Sequence, residues 1–256
     1  MDKLAEIPHF YYINLDRSPD RNKQIIQTFN RFNIKKYSRV KAVDYQETKL
    51  EQYQNLGLTN QEIAVLLSHM KSIELFLLSN QEWAIVCEDD LELETVNYWN
   101  FSWKDFFKYI PKNADIVQLV VSTRNSMDID FQLHHRKFWD FGAVAYLIKR
   151  EKAQKLISFY KDQDVFRFDK YNKTYIYDKE NHEFFKTMKY PTSEEIIYTL
   201  GNENSYSFPM FSYLSENVSL VHDHENQHEF SRSRVYEFWK NKSHNFTIED
   251  LMGINT

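Results

Sequence analysis

The sequence predicts an α/β fold built on a mixed, mostly parallel central sheet. Three features carry this expectation: continuous apolar runs of strand length, segments with helical periodicity, and the alternation of the two along the chain. At 256 residues the chain is long enough to bury the core of one large domain. It has no internal repeat, no low-complexity tract and no Gly/Pro linker, with only four glycines in all. The expected organisation is one domain over residues 1–228 and a helical tail over 229–256, packed on or near the functional site.

The elements follow in order. Phe10 to Leu15 is an aromatic and aliphatic run ended by Asp16-Arg17-Ser18-Pro19-Asp20-Arg21, a strand followed by a helix start. Ile25, Ile26, Phe29 and Phe32 recur at near-helical spacing, and Tyr37 to Val43 reads as a second strand, giving a βαβ opening. Thr59 with Glu62 forms a capping-box pattern at the head of a helix whose apolar stripe runs from Ile63 to Leu77 and which carries Ser68 and His69. Trp83 to Cys87 is a buried strand that stops at Glu88-Asp89-Asp90. Ile116 to Val121 and Gly142 to Ile148 read as two more strands, the second followed by a helix from Arg150 to about Tyr160. Residues 161–190 are polar and aromatic without a period and read as a long excursion. Ser193 to Leu200 reads as a capped helix, Tyr206 to Phe211 leads to a strand around Val218 to Val221, and the tail from Glu229 reads as a helix with a loose end.

Carboxylates gathered at the end of a buried strand repel one another, and a divalent cation held by oxygen ligands is the usual compensation. That is the functional reading of Glu88, Asp89 and Asp90; a solvated acidic turn is the plain one. Glu88 and Asp90, two apart, are expected to face one side. Arg17 and Arg21, four apart at a helix start, would share a face and suit diphosphate oxygens, or they balance Asp16 and Asp20 at the surface. His222 and His224 follow a predicted strand and alternate to one side, so either could be a metal ligand. Glu194 and Glu195 are candidates for a general base, although a first-turn acid interacting with the helix dipole explains them equally well.

In their order and spacing these motifs resemble glycosyltransferase family 25, a group that includes bacterial lipooligosaccharide sugar transferases, collagen galactosyltransferases and similar enzymes of large DNA viruses. The resemblance runs through most of the chain: Tyr12-Ile13-Asn14-Leu15-Asp16-Arg17-Ser18-Pro19-Asp20-Arg21, then Ala42-Val43-Asp44, Leu58 to Ala64 leading to Ser68-His69, the acidic triplet, and Phe141 to Ile148. It implies a GT-A, Rossmann-like fold, an inverting transfer, a UDP-sugar donor and Mn2+ (or Mg2+). Taken with the readings of the residues themselves, the expected donor-lining residues are Asn14, Leu15, Arg17, Arg21, Asp44, Ser68, His69, Glu88, Asp89, Gly142 and Arg232, with Glu88, Asp90, His222 and His224 expected at the metal. Two departures stand out: the family usually has Gly where Ala64 stands, and Asp near Glu194 or Glu195. With the His-rich stretch from His222 to Arg234, they suggest a divergent branch.

The expected substrates are therefore a UDP-sugar and an oligosaccharide or other glycan acceptor. A noncatalytic nucleotide-sugar or glycan-binding module and a metal-dependent phosphohydrolase or nucleotidyltransferase are the alternatives from other classes. A net charge of −5 gives no general attraction to nucleic acid or anionic membrane. The aromatic share of 16% is high enough to line a wet cleft or to build a Tyr-rich core. The single cysteine, Cys87, sits in an apolar run, which points to burial and a reducing compartment. No window approaches a membrane span and the first twenty residues hold no signal-like apolar run, so a cytoplasmic location is expected.

Overall fold

The computed structural model describes residues 2–123, 127–171, 175–178, 183–186, 191–200, 202–214 and 225–254. The first half carries β1 (His9–Asn14), α1 (Pro19–Arg31), β2 (Tyr37–Lys41), α2 (Asn60–Leu77), β3 (Trp83–Glu88), β4 (Leu91–Glu92), α3 (Trp103–Tyr109) and β5 (Ile116–Gln118). Then come β6 (His134–His135), β7 (Ala145–Lys149), α4 (Arg150–Tyr160), two small hairpins formed by β8 (Lys161–Asp162) with β9 (Val165–Phe166) and β10 (Tyr175–Asp178) with β11 (Glu183–Lys186), and α5 (Ser193–Thr199). The chain continues through β12 (Ser205–Ser207), β13 (Ser212–Tyr213), α6 (Glu225–Asn241) and α7 (Ile248–Leu251).

Seven strands form the central sheet in the order β2-β1-β3-β7-β5-β12-β6. Pairing is parallel for β1 with β2, β1 with β3 and β5 with β12, whereas β7 runs against β3 and β5, and β6 against β12. The sheet is therefore mixed, with five strands in one direction. Its strands β1, β3 and β7 are largely apolar because both of their faces are covered. Phe10, Tyr12, Ile85, Cys87 and Leu147 join a core with Ile25 and Phe29 of α1, Phe106 of α3 and Val235, Phe238 and Trp239 of α6. The alternate residues Tyr11, Ile13, Val86, Tyr146 and Ile148 join a second core with Ile63, Leu66 and Ile73 of α2, Leu156 of α4 and Ile196 of α5. Period-two alternation thus feeds two apolar cores instead of one core and one wet face.

Several expectations shift. β5 ends at Gln118 rather than Val121, because the Leu119 carbonyl accepts from the backbone N–H groups of Met210 and Phe211, both at 3.0 Å. β7 begins at Ala145 rather than Gly142, whose φ of +101° lies outside the strand region. The expected strand at Val218 to Val221 lies outside the described residues. The tail helix begins at Glu225, inside the expected 1–228 unit, and it supplies core residues. The Thr59–Glu62 capping box forms as the pattern predicts, with reciprocal bonds of 3.2 and 2.7 Å.

Candidate active site

β1 leads through α1 to β2 on one side of it, and β2 leads through α2 to β3 on the other side. The direction of winding reverses between β1 and β3, which opens a crevice at their carboxyl ends, the usual ligand position in such sheets. Asn14 ends β1 and Glu88 ends β3, with Ile13 and Glu88 in register. Because β7 is antiparallel, its N-terminal end reaches the same edge: Cys87 pairs with Ala145, and the Glu88 N–H donates to the Val144 carbonyl at 2.8 Å.

The three acids have different surroundings. Asp89 is buried and accepts from Asn14 Nδ2 at 2.6 Å and from Arg21 Nε at 2.7 Å. Asn14 is itself fixed by Arg39, whose Nε donates to Asn14 Oδ1 at 2.9 Å. Burial raises the Asp89 pKa, while Arg21 and Asn14 work against that rise. Asp90 lies in the turn after β3, so strand alternation does not set its direction. Its Oδ2 is 3.4 Å from Arg21, and its Oδ1 is buried with no hydrogen-bond partner among the described residues. Burial, reinforced by Glu88 and opposed by Arg21, pushes its carboxyl up to about 7. Glu88 is part-exposed, and its Oε1 is 3.4 Å from Nε2 of the fully buried His69, whose Nδ1 is 3.3 Å from the Tyr146 hydroxyl.

An unpartnered carboxylate oxygen beside a second carboxylate is the donor chemistry a hard divalent cation takes. Among the described residues no three His, Cys, Asp or Glu side chains gather into a complete ligand set. Glu88 and Asp90 therefore fit as part of a cation site that donor phosphate oxygens or water would have to complete. His222 and His224 lie outside the described residues.

The expected Arg17–Arg21 face does not form. Arg17 precedes α1, so helical spacing does not apply to it, and its Nε donates to Asp44 Oδ2 at 2.6 Å while Arg21 turns to the acids. Ser68 is buried and occupied within the fold, accepting from the Val43 N–H at 2.8 Å and donating to the Ala64 carbonyl at 2.6 Å. The Leu15 carbonyl accepts from the Ser18 N–H at 3.0 Å, closing the turn into α1. Arg232 on α6 lies 3.7 Å from Glu92, two residues past Asp90.

On the far side of β7, Gly142 donates its N–H to Glu194 Oε1 at 3.2 Å. Its carbonyl is gripped by Gln118 Nε2 at 3.0 Å and by the Tyr198 hydroxyl at 3.3 Å. Glu195 is buried, with only 3% of its surface exposed, and accepts a hydrogen bond from the Tyr171 hydroxyl. Burial raises its pKa against that hydrogen bond. Of the two candidate bases, Glu194 is the one that is not enclosed.

A family model described as glycosyltransferase family 25 (LPS biosynthesis protein) matches residues 7–172, well over half of the chain. The chain belongs to glycosyltransferase family 25. No curated protein matches it closely. As a family 25 glycosyltransferase it has the mixed α/β, Rossmann-like GT-A arrangement that the sequence predicts, and it acts on a sugar donor and an acceptor. The matched stretch holds Asn14, the acidic turn and Gly142, while Glu194 and Arg232 lie beyond it. Among the described residues no helix is long and apolar enough to cross a membrane.

Sequence reasoning missed Arg39, Gln118, Tyr146 and Tyr198, which hold the site residues in place. Each works across strands or between elements distant in sequence, and no local pattern marks such a pairing.

Proposed function

We propose that this glycosyltransferase takes galactose, glucose or xylose from a UDP-sugar and passes it to a hydroxyl of an oligosaccharide or glycoprotein glycan, with Mn2+ or Mg2+ at Glu88 and Asp90. The observation that carries the reading is the buried Asp90 Oδ1, without a hydrogen-bond partner among the described residues, beside Glu88 at the reversal between β1 and β3. A cation there supplies charge neutralisation to the departing diphosphate. Arg21 keeps the acidic turn in place through Asp89, and the nucleoside lies along Arg17, Asp44 and Tyr45, where the guanidinium sits 5.9 Å from the Tyr45 ring.

Glu194 is the proposed base. Direct displacement with inversion needs one carboxylate to take the acceptor hydroxyl proton, and Glu194 stands beside the Gly142 backbone at the same sheet edge. The anomeric configuration of the product, read by proton NMR, tests this part separately: retention would remove the base role and leave the donor site untouched.

The donor reading is tested by thermal unfolding with Mn2+ and UDP. At about 100 times Kd the ligand should add roughly 2.7 kcal/mol, or about 5–10 °C for a chain of this size. Asp90→Asn should remove that rise together with UDP release from UDP-sugars. An undiminished rise in Asp90→Asn would overturn the assignment, and release of UMP in place of UDP would mean phosphoryl chemistry.

A further inference from the structure

A second concavity lies beside the candidate active site. It has a volume of about 440 Å³ and is lined by Met127, Asp128 and Ile129 on one side and by Lys137 and Trp139 on the other, with Asp130 between them. Two chain segments form its walls, and they converge next to Gly142. Ser122 and Phe141 pair as an isolated antiparallel bridge, exchanging backbone hydrogen bonds of 2.9 Å in both directions. From that bridge one wall leaves through Thr123, whose Oγ1 donates to the Met127 carbonyl at 3.3 Å. The other wall is Trp139, only three residues before Gly142, so at most about 11 Å of chain separates them. Gly142 in turn contacts Glu194. The Tyr213 hydroxyl is hydrogen-bonded to Ser122, Tyr213 pairs with Leu91 of β4, and the Leu214 N–H donates to the Asp90 carbonyl at 2.9 Å, so the same bridge adjoins the acidic turn.

The lining is braced before any ligand arrives. Arg234 of α6 forms an ion pair with Asp128 and donates to the Met127 carbonyl at 3.1 Å. Lys137 Nζ donates to Asp130 Oδ2 at 2.9 Å, and its backbone N–H donates to Asp140 Oδ2 at 2.7 Å. Buried Asp140 also accepts from the Ser207 hydroxyl at 2.8 Å, which ties this wall to β12. Among the described residues, each acid of the cavity has a cation partner. What it offers is an indole, two apolar side chains, and an ammonium and carboxylate side by side as donor and acceptor. An apolar surface with a few convergent polar groups is the general form of a small-molecule site. A pyranose matches this one, with a C–H face for the ring and adjacent hydroxyls that both donate and accept.

We propose that this cavity is a saccharide subsite for the acceptor glycan, with Trp139 as the platform under a sugar ring and Lys137 and Asp130 as partners of its hydroxyls. The inference rests on the reading that transfer takes place between the acidic turn and Glu194; a unit of the acceptor beyond the reacting sugar would occupy the cavity.

The test uses the full chain with its five tryptophans replaced by fluorotryptophan and followed by fluorine NMR. The Trp139 resonance is assigned by its loss in Trp139→Phe, and lactose and the methyl glycosides of galactose, glucose and N-acetylglucosamine are titrated with Mn2+ and UDP present. The expected result is a saturable shift of the Trp139 resonance, with binding about ten-fold weaker in Lys137→Ala, the loss of roughly one hydrogen bond. The rise in thermal stability with Mn2+ and UDP should be the same in Lys137→Ala as in the natural chain. A Trp139 resonance that none of these saccharides moves, or a shift undiminished in Lys137→Ala, would overturn the subsite. A Trp139 response without any stabilisation by UDP would support the subsite and sink the donor assignment instead.

Discussion

Three consecutive acids at the end of β3 meet three different environments, and their order in sequence does not reveal this. Asp89 is drawn into the fold by Asn14 and Arg21, so its charge is part of the structure. Removing it with Asp89→Asn leaves a largely buried guanidinium without its main partner and should cost about 2–4 kcal/mol. Asp90 is the reverse case. Burial and Glu88 both penalise its charge, and Oδ1 has no partner among the described residues, so Asp90→Asn should leave the ligand-free protein as stable as before or more so. Urea unfolding of both variants at pH 7.5 checks the contrast. If Asp90→Asn proved the more damaging of the two, the division between a structural and a ligand-holding acid would fail. The triplet itself is legible in the sequence, because acids at the end of an apolar strand demand an explanation. The division of labour within it is not, since it depends on an asparagine and an arginine about seventy residues away.

Elements were legible in proportion to their length and apolar continuity. β1, β3, α2 and α4 each carry enough residues for periodicity to register, and α2 adds a capping box. β12 is Ser205-Tyr206-Ser207, and its serines are buried only because partners in other elements take up their hydroxyls, Ser207 with Asp140 and Ser205 with the Tyr198 carbonyl. No propensity scale marks such a strand. The segment ahead of β7 shows a related limit. The apolar run from Gly142 reads as strand, but Gln118 holds the Phe141 and Gly142 carbonyls at 2.9 and 3.0 Å, and Gly142 adopts φ +101°. A Cβ on Gly142 would find its nearest neighbour, the Val120 carbonyl oxygen, 3.9 Å away, so Gly142→Ala suffers from backbone strain and not from a clash. It should lose about 1–3 kcal/mol of stability. Because Gly142 N–H is the contact that places Glu194, sugar transfer should fall further than stabilisation by Mn2+ and UDP, as parallel turnover and thermal-shift measurements would show. Equal losses in both would mean that the glycine supports the whole edge and not the Glu194 side alone.

At the scale of the whole molecule, two apolar cores cover the two faces of one sheet, and a lysine is buried among the elements packed on it. Lys152 of α4 is fully buried, with its ammonium donating to the Leu200 carbonyl at the end of α5. Burial lowers its pKa from 10.5 to about 8, with Asp115 only partly offsetting the effect. Between these two values the unfolded chain binds a proton that the folded chain has released, so stability rises with pH across the window, and the penalty is full below pH 8. From pH 8 to 9.5 the natural chain should therefore gain roughly 1.5 kcal/mol relative to Lys152→Met, which lacks the titrating group. Comparing the two chains cancels the buried tyrosines Tyr146 and Tyr198, whose raised pKa values affect both alike. Denaturant unfolding at several pH values reads the difference. A gap between the two chains that does not change with pH would mean that Lys152 keeps its proton in the fold, with its burial offset by Leu200 and Asp115.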